Sequence, residues 1–348
     1  MSGDAPSTPA PAGKPVRAAI KKVDLATFGG GAKASAAAST TVFRPGAAPA
    51  VNRVPTGIRV RANDLPDICV IYGPEGVGKT RFALDAPAPV LLAAEDGSRG
   101  RPVPRLEVHD AEAPGGLRPP RTLDEVSSCL MDLAEIPDGH GFETLVIDSL
   151  DWLAPIIHSA VCLRNNWDNI EKPGFGKGYK VIVDELRMLQ IMLDRIRRRG
   201  IQIVATAHAK MRNVANPSGP DYSAWEPALS PDEAAFWRQY ADTFAFVCFE
   251  DTFVRDDKTQ RRAKGTSEGL RIMHTVHQPS WQAKNRWRIP DGCALDWATY
   301  ESARAECVRF EAELAKMDPA ARAQWQKYVD QDPRLVADAL KQLAGGGG

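Results

Sequence analysis

The sequence has no excess of either charge: 44 Lys and Arg stand against 44 Asp and Glu among 348 residues. Net charge therefore gives no argument for a polyanionic partner, and any basic surface has to be local. Paired cysteines are also missing. Cys69, Cys129, Cys162, Cys248, Cys293 and Cys307 are scattered without a Cys-x-x-Cys pair. That argues against a zinc site or a disulfide scaffold and for reduced thiols, so the expected location is the cytoplasm. No apolar run approaches the roughly 20 residues that cross a bilayer, so no membrane partner is expected. The N-terminus lacks the apolar stretch of a secretory signal.

What the chain does have is concentrated in residues 66–86. Gly73, Gly78, Lys79 and Thr80 fill the fixed positions of the Gly-x4-Gly-Lys-[Ser/Thr] phosphate-binding pattern. The apolar run Ile68–Tyr72 precedes it and the helix-compatible run Thr80–Leu84 follows. Glycines let the backbone bend until successive N–H groups converge on one phosphate, and the start of the following helix adds partial positive charge. The loop residues Gly73, Pro74, Glu75, Gly76, Val77, Gly78, Lys79, Thr80 and Arg81 are thus the candidate nucleotide-binding set. In it, Lys79 reaches the β- and γ-phosphates and the Thr80 hydroxyl binds Mg²⁺. ATP and Mg²⁺ are the expected ligands.

Around that loop the chain divides in three. Residues 1–57 are rich in Ala, Pro, Gly, Ser and Thr, carry a mild basic excess, and bury too little apolar surface to offset their ordering entropy. They read as a disordered basic tail. Residues 58–296 read as the core. Strand-like runs at Ile68–Tyr72, Val90–Ala94, Thr144–Ile147, Ile201–Ala205 and Thr243–Phe249 are separated by helical stretches. The clearest helix is Tyr179–Arg199, with Ile182, Leu186, Leu189, Leu193 and Ile196 on one face. Strands alternating with helices predict an α/β fold with a mostly parallel sheet flanked by helices. Gly269–Val276 and Trp281–Arg288 are expected to form a terminal antiparallel pair. Residues 297–344 read as a helical C-terminal segment, with Asp318-Pro319 and Asp332-Pro333 as helix starts.

A second set of polar residues follows the strand-like runs. Leu145-Val146-Ile147-Asp148 ends an apolar strand in a carboxylate, expected on the strand neighbouring the loop strand, so Asp148 is the second candidate for the metal site. Glu95 follows the run at 90–94, expected to lie next to the loop strand, and is the candidate for orienting the attacking water, with Asp96 as its competitor. Thr206 and His208 end the run at 201–205 and are candidates for touching the γ-phosphate.

In that order, Gly73–Thr80, Glu95, Val146-Ile147-Asp148-Ser149, a long helix and Ala205-Thr206-Ala207-His208 resemble the RecA-type ATPase core. The chain is most similar to the phage-type, Sak-four-like single-strand annealing and nucleotide-binding group. Shared elements include Gly176-Lys177-Gly178-Tyr179 before the long helix and Ala283-Lys284-Asn285-Arg286 near the end of the core. The resemblance implies a RecA-like P-loop core with terminal antiparallel strands and a catalytic role for Glu95. His208 would stand where RecA itself has a γ-phosphate-sensing Gln, and Lys284 and Arg286 would reach a neighbouring subunit's nucleotide. It also implies a homo-oligomer, single-stranded DNA as partner with a single-strand DNA-binding protein as a further one, and a bacterial host cytoplasm if phage-encoded.

In such proteins two mobile loops contact the strand, and here they correspond to Arg164–Lys180 and Lys210–Pro231. The first carries Arg164, Trp167, Lys172, Phe175, Lys177, Tyr179 and Lys180; the second carries Lys210, Arg212, Tyr222 and Trp225. Cations interleaved with aromatics suit a single strand, charge following phosphate and rings stacking on bases. The alternative is that Trp167 and Trp225 pin long loops to the body. The functional expectation is a DNA-stimulated ATPase of recombination or strand annealing. The competing readings are a nucleotide-gated loading factor with little turnover and a helicase-like or packaging-type motor.

Overall fold

In the computed structural model, residues 65–93, 101–216, 219–254 and 264–345 are described. Residues 1–57, Glu95, Asp96 and the Arg261-Arg262-Ala263 stretch lie outside them. Strand β1 (Ile68–Gly73) is buried at every position, as a central strand with helices on both faces must be. Ile68, Val70 and Tyr72 face one apolar cluster and Cys69 and Ile71 face another, the two-residue alternation of a pleated strand. After β1 come α1 (Lys79–Leu84), β2 (Pro89–Ala93), the small pair β3 (Val108–His109) and β4 (Leu117–Arg118), α2 (Leu123–Glu135) and β5 (Thr144–Asp148). Helices α3 (Leu150–Asn165) and α4 (Lys177–Arg198) lead to β6 (Gln202–Val214). The remainder is β7 (Tyr222–Pro227), α5 (Pro231–Tyr240), β8 (Thr243–Val254), β9 (Lys264–His274), β10 (Lys284–Asn285), β11 (Cys293–Ala294), α6 (Trp297–Ala315), α7 (Pro319–Val329) and α8 (Val336–Gly345).

The sheet runs β11-β9-β8-β1-β6-β5-β2, and β8, β1, β6, β5 and β2 are mutually parallel. The expected α/β class with helical flanks is what forms. Helices α2, α3, α4 and α5 cover one face, where Ile182, Leu186, Leu189, Leu193 and Ile196 of α4 are all buried. On the other face α1 contributes Phe82 and α6 contributes Trp297 and Tyr300. The phosphate-loop end of the sheet is its carboxyl end, the usual ligand side of open α/β sheets. The outer edge of β2 is covered: Leu91 donates to Pro104 O at 2.9 Å and accepts from Leu106 N at 2.8 Å.

Four expectations need correction. The strand at 90–94 is not beside β1; β5 and β6 lie between them. For the same reason Asp148 is not on a strand adjoining the loop strand, because the later crossover through α3 and α4 inserts β6 in that place. Gly269–Val276 and Trp281–Arg288 do not pair with one another as a ladder. Both lie along β8, β10 against Thr243 and Phe244 and β9 from Phe246 onward. The stretch 210–231 is not a loop for most of its length: β6 continues past the sheet and pairs antiparallel with β7 from Ala209↔Pro227 to Val214↔Tyr222. Directly opposed cross-strand pairs such as Arg212↔Ala224 and Met211↔Trp225 hold this exposed extension as a ribbon.

The C-terminal helices are not an appendage. Trp297 and Tyr300 pack on Phe82 with ring centroids 5.3 and 5.7 Å away, and Arg304 bridges Asp67 and Glu301. Only from Cys307 onward do the helices build a cluster of their own, with Phe310, Leu314, Val329 and Val336. Trp297→Ala should therefore lower the unfolding free energy of the core by about 3–5 kcal/mol. Denaturant unfolding followed by circular dichroism measures this, and an unchanged midpoint would mean that α6 contributes nothing to the core.

Candidate nucleotide-binding site

The phosphate loop is shaped by backbone needs that only glycine meets. Gly76 and Gly78 have φ of 74° and 102°, a region that side chains disfavour. Gly73 has a different reason to be glycine: a Cβ there would lie 2.1 Å from Val247 O. Val77, fully buried, anchors the apex of the loop in the second cluster. Lys79 is 6% exposed and its ammonium donates to Gly73 O at 3.0 Å and Pro74 O at 2.9 Å. The charge is thus held over the loop's own carbonyls, where a phosphate oxygen would compete for it. Glu75 and Arg81 face solvent, and Arg81 pairs loosely with Asp85 at 3.6 Å.

Asp148 sits at the tip of β5 and is 8% exposed. One carboxylate oxygen accepts from Thr80 Oγ1 at 2.8 Å and the other from Thr206 Oγ1. A buried carboxylate needs such partners to offset its desolvation. Thr80 and Asp148 thus present hard oxygen donors to one point beside the loop, the donor set that Mg²⁺ prefers. The Ser149 hydroxyl is buried next to them and makes no well-formed hydrogen bond among the described residues, although it leans toward Asp151 enough to favour that carboxylate's charge. The residues present fit a small hard cation with an oxygen-rich ligand.

His208 lies level with Gly73 across β1 and β6. Its backbone N–H donates to Asp151 Oδ1 at 2.8 Å, and its Nδ1 lies 2.8 Å from Asp151 Oδ2. Asp151, in the first turn of α3, fixes the ring and its orientation. Asp151 belongs to none of the sequence motifs. The available signal was its place two residues after Ser149, which starts α3 and turns the chain back over β6. Burial pushes the Asp151 carboxyl up, but the hydrogen bonds and charge of His208 outweigh this and hold it below the ordinary carboxylate range.

The remaining predicted residues are distributed unevenly. Glu95 is outside the described residues. Lys284 and Arg286 are at the amino end of the sheet, opposite the phosphate loop. The Lys284 ammonium donates to Gln239 O at 2.8 Å and Ala241 O at 2.7 Å, at the C-terminus of α5. Arg286 pairs with Asp242 at 2.6 Å while its side chain stays half-exposed.

Among the DNA candidates, several are occupied within the chain. Arg164 pairs with Asp124 and Glu185, Lys172 with Asp168, and Arg212 with Glu226. Lys210 donates to Leu229 O. Trp167 packs on the first cluster, and Trp225 stacks on Phe246 while its backbone N–H donates to Ser280 O. Both rings thus pin their segments to the body. Lys177, Lys180 and Tyr222 are exposed, and the two lysines have no carboxylate partner among the described residues.

Residues 66–287, more than half of the chain, match the AAA domain family. No curated protein matches the chain. Among solved structures, a RadB recombinase is similar at 14% identity, covering 66% of this chain and 86% of that one with a TM-score of 0.34. A likeness that shallow carries no weight for fold or function. No helix among the described residues is long and apolar enough to cross a membrane.

The Asp151–His208 pair makes a pH-dependent prediction. A carboxyl lowered by folding contributes stability that is complete above its unfolded pKa and is lost as pH falls through the folded one. Asp151→Asn should therefore be less stable than wild type near neutrality, and the gap should close in acid, below the ordinary carboxylate range. Urea unfolding across that range measures it; a gap that stays constant with pH would show that the carboxylate's charge is irrelevant.

Proposed function

The chain belongs to the AAA domain family, and from that premise we propose that it binds Mg²⁺–ATP in the Gly73–Thr80 loop, hydrolyses it, and acts on single-stranded DNA. The observation that carries the nucleotide reading is the convergence of three groups from separate elements. These are the loop with its left-handed glycines, the buried Lys79 ammonium at its mouth, and Thr80 facing Asp148 at 2.8 Å. Lys79 supplies positive charge to the β- and γ-phosphates, and Thr80 and Asp148 would hold the metal. When bound, Mg²⁺ neutralises charge on the phosphate oxygens during transfer to water. His208, oriented by Asp151, faces the γ-phosphate side. Glu95, on the segment after β2, orients the attacking water.

Support for the DNA reading comes from the turn between α3 and α4. Helix α4 has 22 residues, about 33 Å long, and ends where β6 begins at the amino end of the sheet. Its start, and the turn before it, therefore lie toward the phosphate-loop end. In that turn Gly174, Phe175 and Gly176 all have positive φ, of 69°, 51° and 67°. The left-handed region costs a non-glycine residue about 1–2 kcal/mol, and Phe175 is 99% exposed. An aromatic ring held in water by a costly backbone, with the exposed Lys177 and Lys180 close by in the chain, matches what stacking on an unpaired base requires.

Assembly is the third part of the reading. Lys284 places two of its three donors on the end of α5, so the role across a subunit interface is assigned here to Arg286. In this reading Arg286, away from its own loop, reaches a neighbour's nucleotide in a homo-oligomer.

Lys79→Ala should abolish turnover, and Glu95→Gln should slow it about a hundredfold or more while ATP still binds. Phosphate release with and without single-stranded DNA measures both. Turnover that ignores DNA would favour a nucleotide-gated loading factor. Phe175→Ala should weaken binding to an unstructured oligonucleotide by about 1–3 kcal/mol, read by fluorescence anisotropy; unchanged affinity would remove the turn from the interface. Inactive Lys79→Ala and Arg286→Ala proteins should recover part of the activity when mixed, because some interfaces then combine one intact loop with one intact arginine. Mixtures that stay inactive would return Arg286 to its pairing with Asp242.

A further inference from the structure

Arg271 belongs to no motif, yet the fold places it on the phosphate loop. It lies on β9, directly opposite Phe249 on β8, and its guanidinium carbon is 5.8 Å from the centroid of that ring. The strand is fixed at this point, since Leu295 N donates to Arg271 O at 2.9 Å. Just beyond, the β8–β9 register shifts between Phe249 and Asp251, the kind of irregularity that re-aims neighbouring side chains. The result is a close approach to the last glycine of the loop. A Cβ on Gly78 would lie 2.9 Å from Arg271 Nη1 and 3.6 Å from its Cζ. Gly78 is required by its φ of 102°, and the guanidinium lies directly beside it.

Arg271 is exposed and has no carboxylate partner among the described residues. An arginine held against a phosphate loop, propped by an aromatic face and with its donors uncommitted, suits a bidentate contact to phosphate. Strand order assigns which phosphate. β6 and β5, carrying Thr206 and Asp148, are on one side of β1, and β8 and β9 are on the other. The metal and the γ-phosphate belong with Asp148. Arg271 is on the opposite side, beside the loop's helix end, where backbone N–H groups of such loops meet the α- and β-phosphates.

We infer that Arg271 is a nucleotide-binding residue supplied by the chain's own β8–β9 hairpin, contacting the α/β-diphosphate portion common to nucleoside di- and triphosphates. The inference rests on the nucleotide reading above and adds to it a cation that acts within the same chain, on the side of the loop away from the metal. It also gives the hairpin a reason to respond to nucleotide, because the same guanidinium lies over Phe249.

The test is equilibrium titration of full-length wild type, Arg271→Gln and Arg271→Lys with fluorescent ADP and ATP analogues in the presence of Mg²⁺. Nucleotide-free melting is recorded for each protein. Arg271→Gln removes the charge and leaves a shorter polar chain. It should weaken ADP and ATP binding alike, by about 10- to 100-fold, with the nucleotide-free melting temperature unchanged, and Arg271→Lys should recover part of the loss. Binding equal to wild type would return Arg271 to a surface residue resting on Phe249. A loss confined to ATP would put the contact at the γ-phosphate and overturn the assignment. A matching drop in nucleotide-free melting would show that the residue only props the loop. If folded wild type binds neither nucleotide, the nucleotide reading itself fails, a result that Arg271 variants cannot mimic.

Discussion

The arrangement at the head of the sheet depends on one carboxylate. Asp148 accepts a hydroxyl on each oxygen, from Thr80 at the start of α1 and from Thr206 on β6. With 8% exposure, it cannot rely on water for solvation, so both partners have to be in place. That requirement links the phosphate loop, β5 and β6 in a single register. With β6 between the loop strand and the carboxylate strand, Thr206 reaches the second oxygen while Thr80 of α1 reaches the first. His208 follows two residues after Thr206 and inherits its position from the same register, which brings it under Asp151.

The loop is held from the other side by contact of a different kind. Val247 O approaches Gly73 so closely that no side chain fits, and the movable Arg271 guanidinium lies beside Gly78. Hydrogen bonds organise the β5–β6 side, whereas steric fit organises the β8–β9 side. A nucleotide in the loop would therefore meet hydroxyl and carboxylate oxygens on one side, and the Val247 backbone and the Arg271 guanidinium on the other.

How much of this was legible in the sequence depends on how far apart the partners are in the chain. The loop from Gly73 to Thr80 was readable because its geometry is local: glycines at fixed spacing, a strand before, a helix after. The apolar face of α4 was readable for the same reason. Strand order was not. Nothing in Val90–Ala93 says that two later strands will stand between it and β1, because the edge position is set by crossovers that come afterwards. The candidate DNA cations show the same limit. Arg164 looks like a phosphate contact until α2 and α4 bring Asp124 and Glu185 to it. Trp225 looks like a stacking platform until β8 supplies Phe246. Asp151 and Arg271 were missed for the converse reason, since each gains significance only from a partner on another strand or on the loop.

The covered flank of β2 has a consequence for how copies of this chain can meet. An unpaired sheet edge invites a second sheet to add to it, and a flat apolar strand such as β2 would otherwise be an open template. Here Leu91 has both of its outward backbone groups taken by Pro104 and Leu106. The β2 flank is therefore blocked at its centre against the addition of another strand. The short segment at 104–106 thus protects the protein against uncontrolled polymerisation, a role that catalysis would never reveal but that solubility at high concentration would.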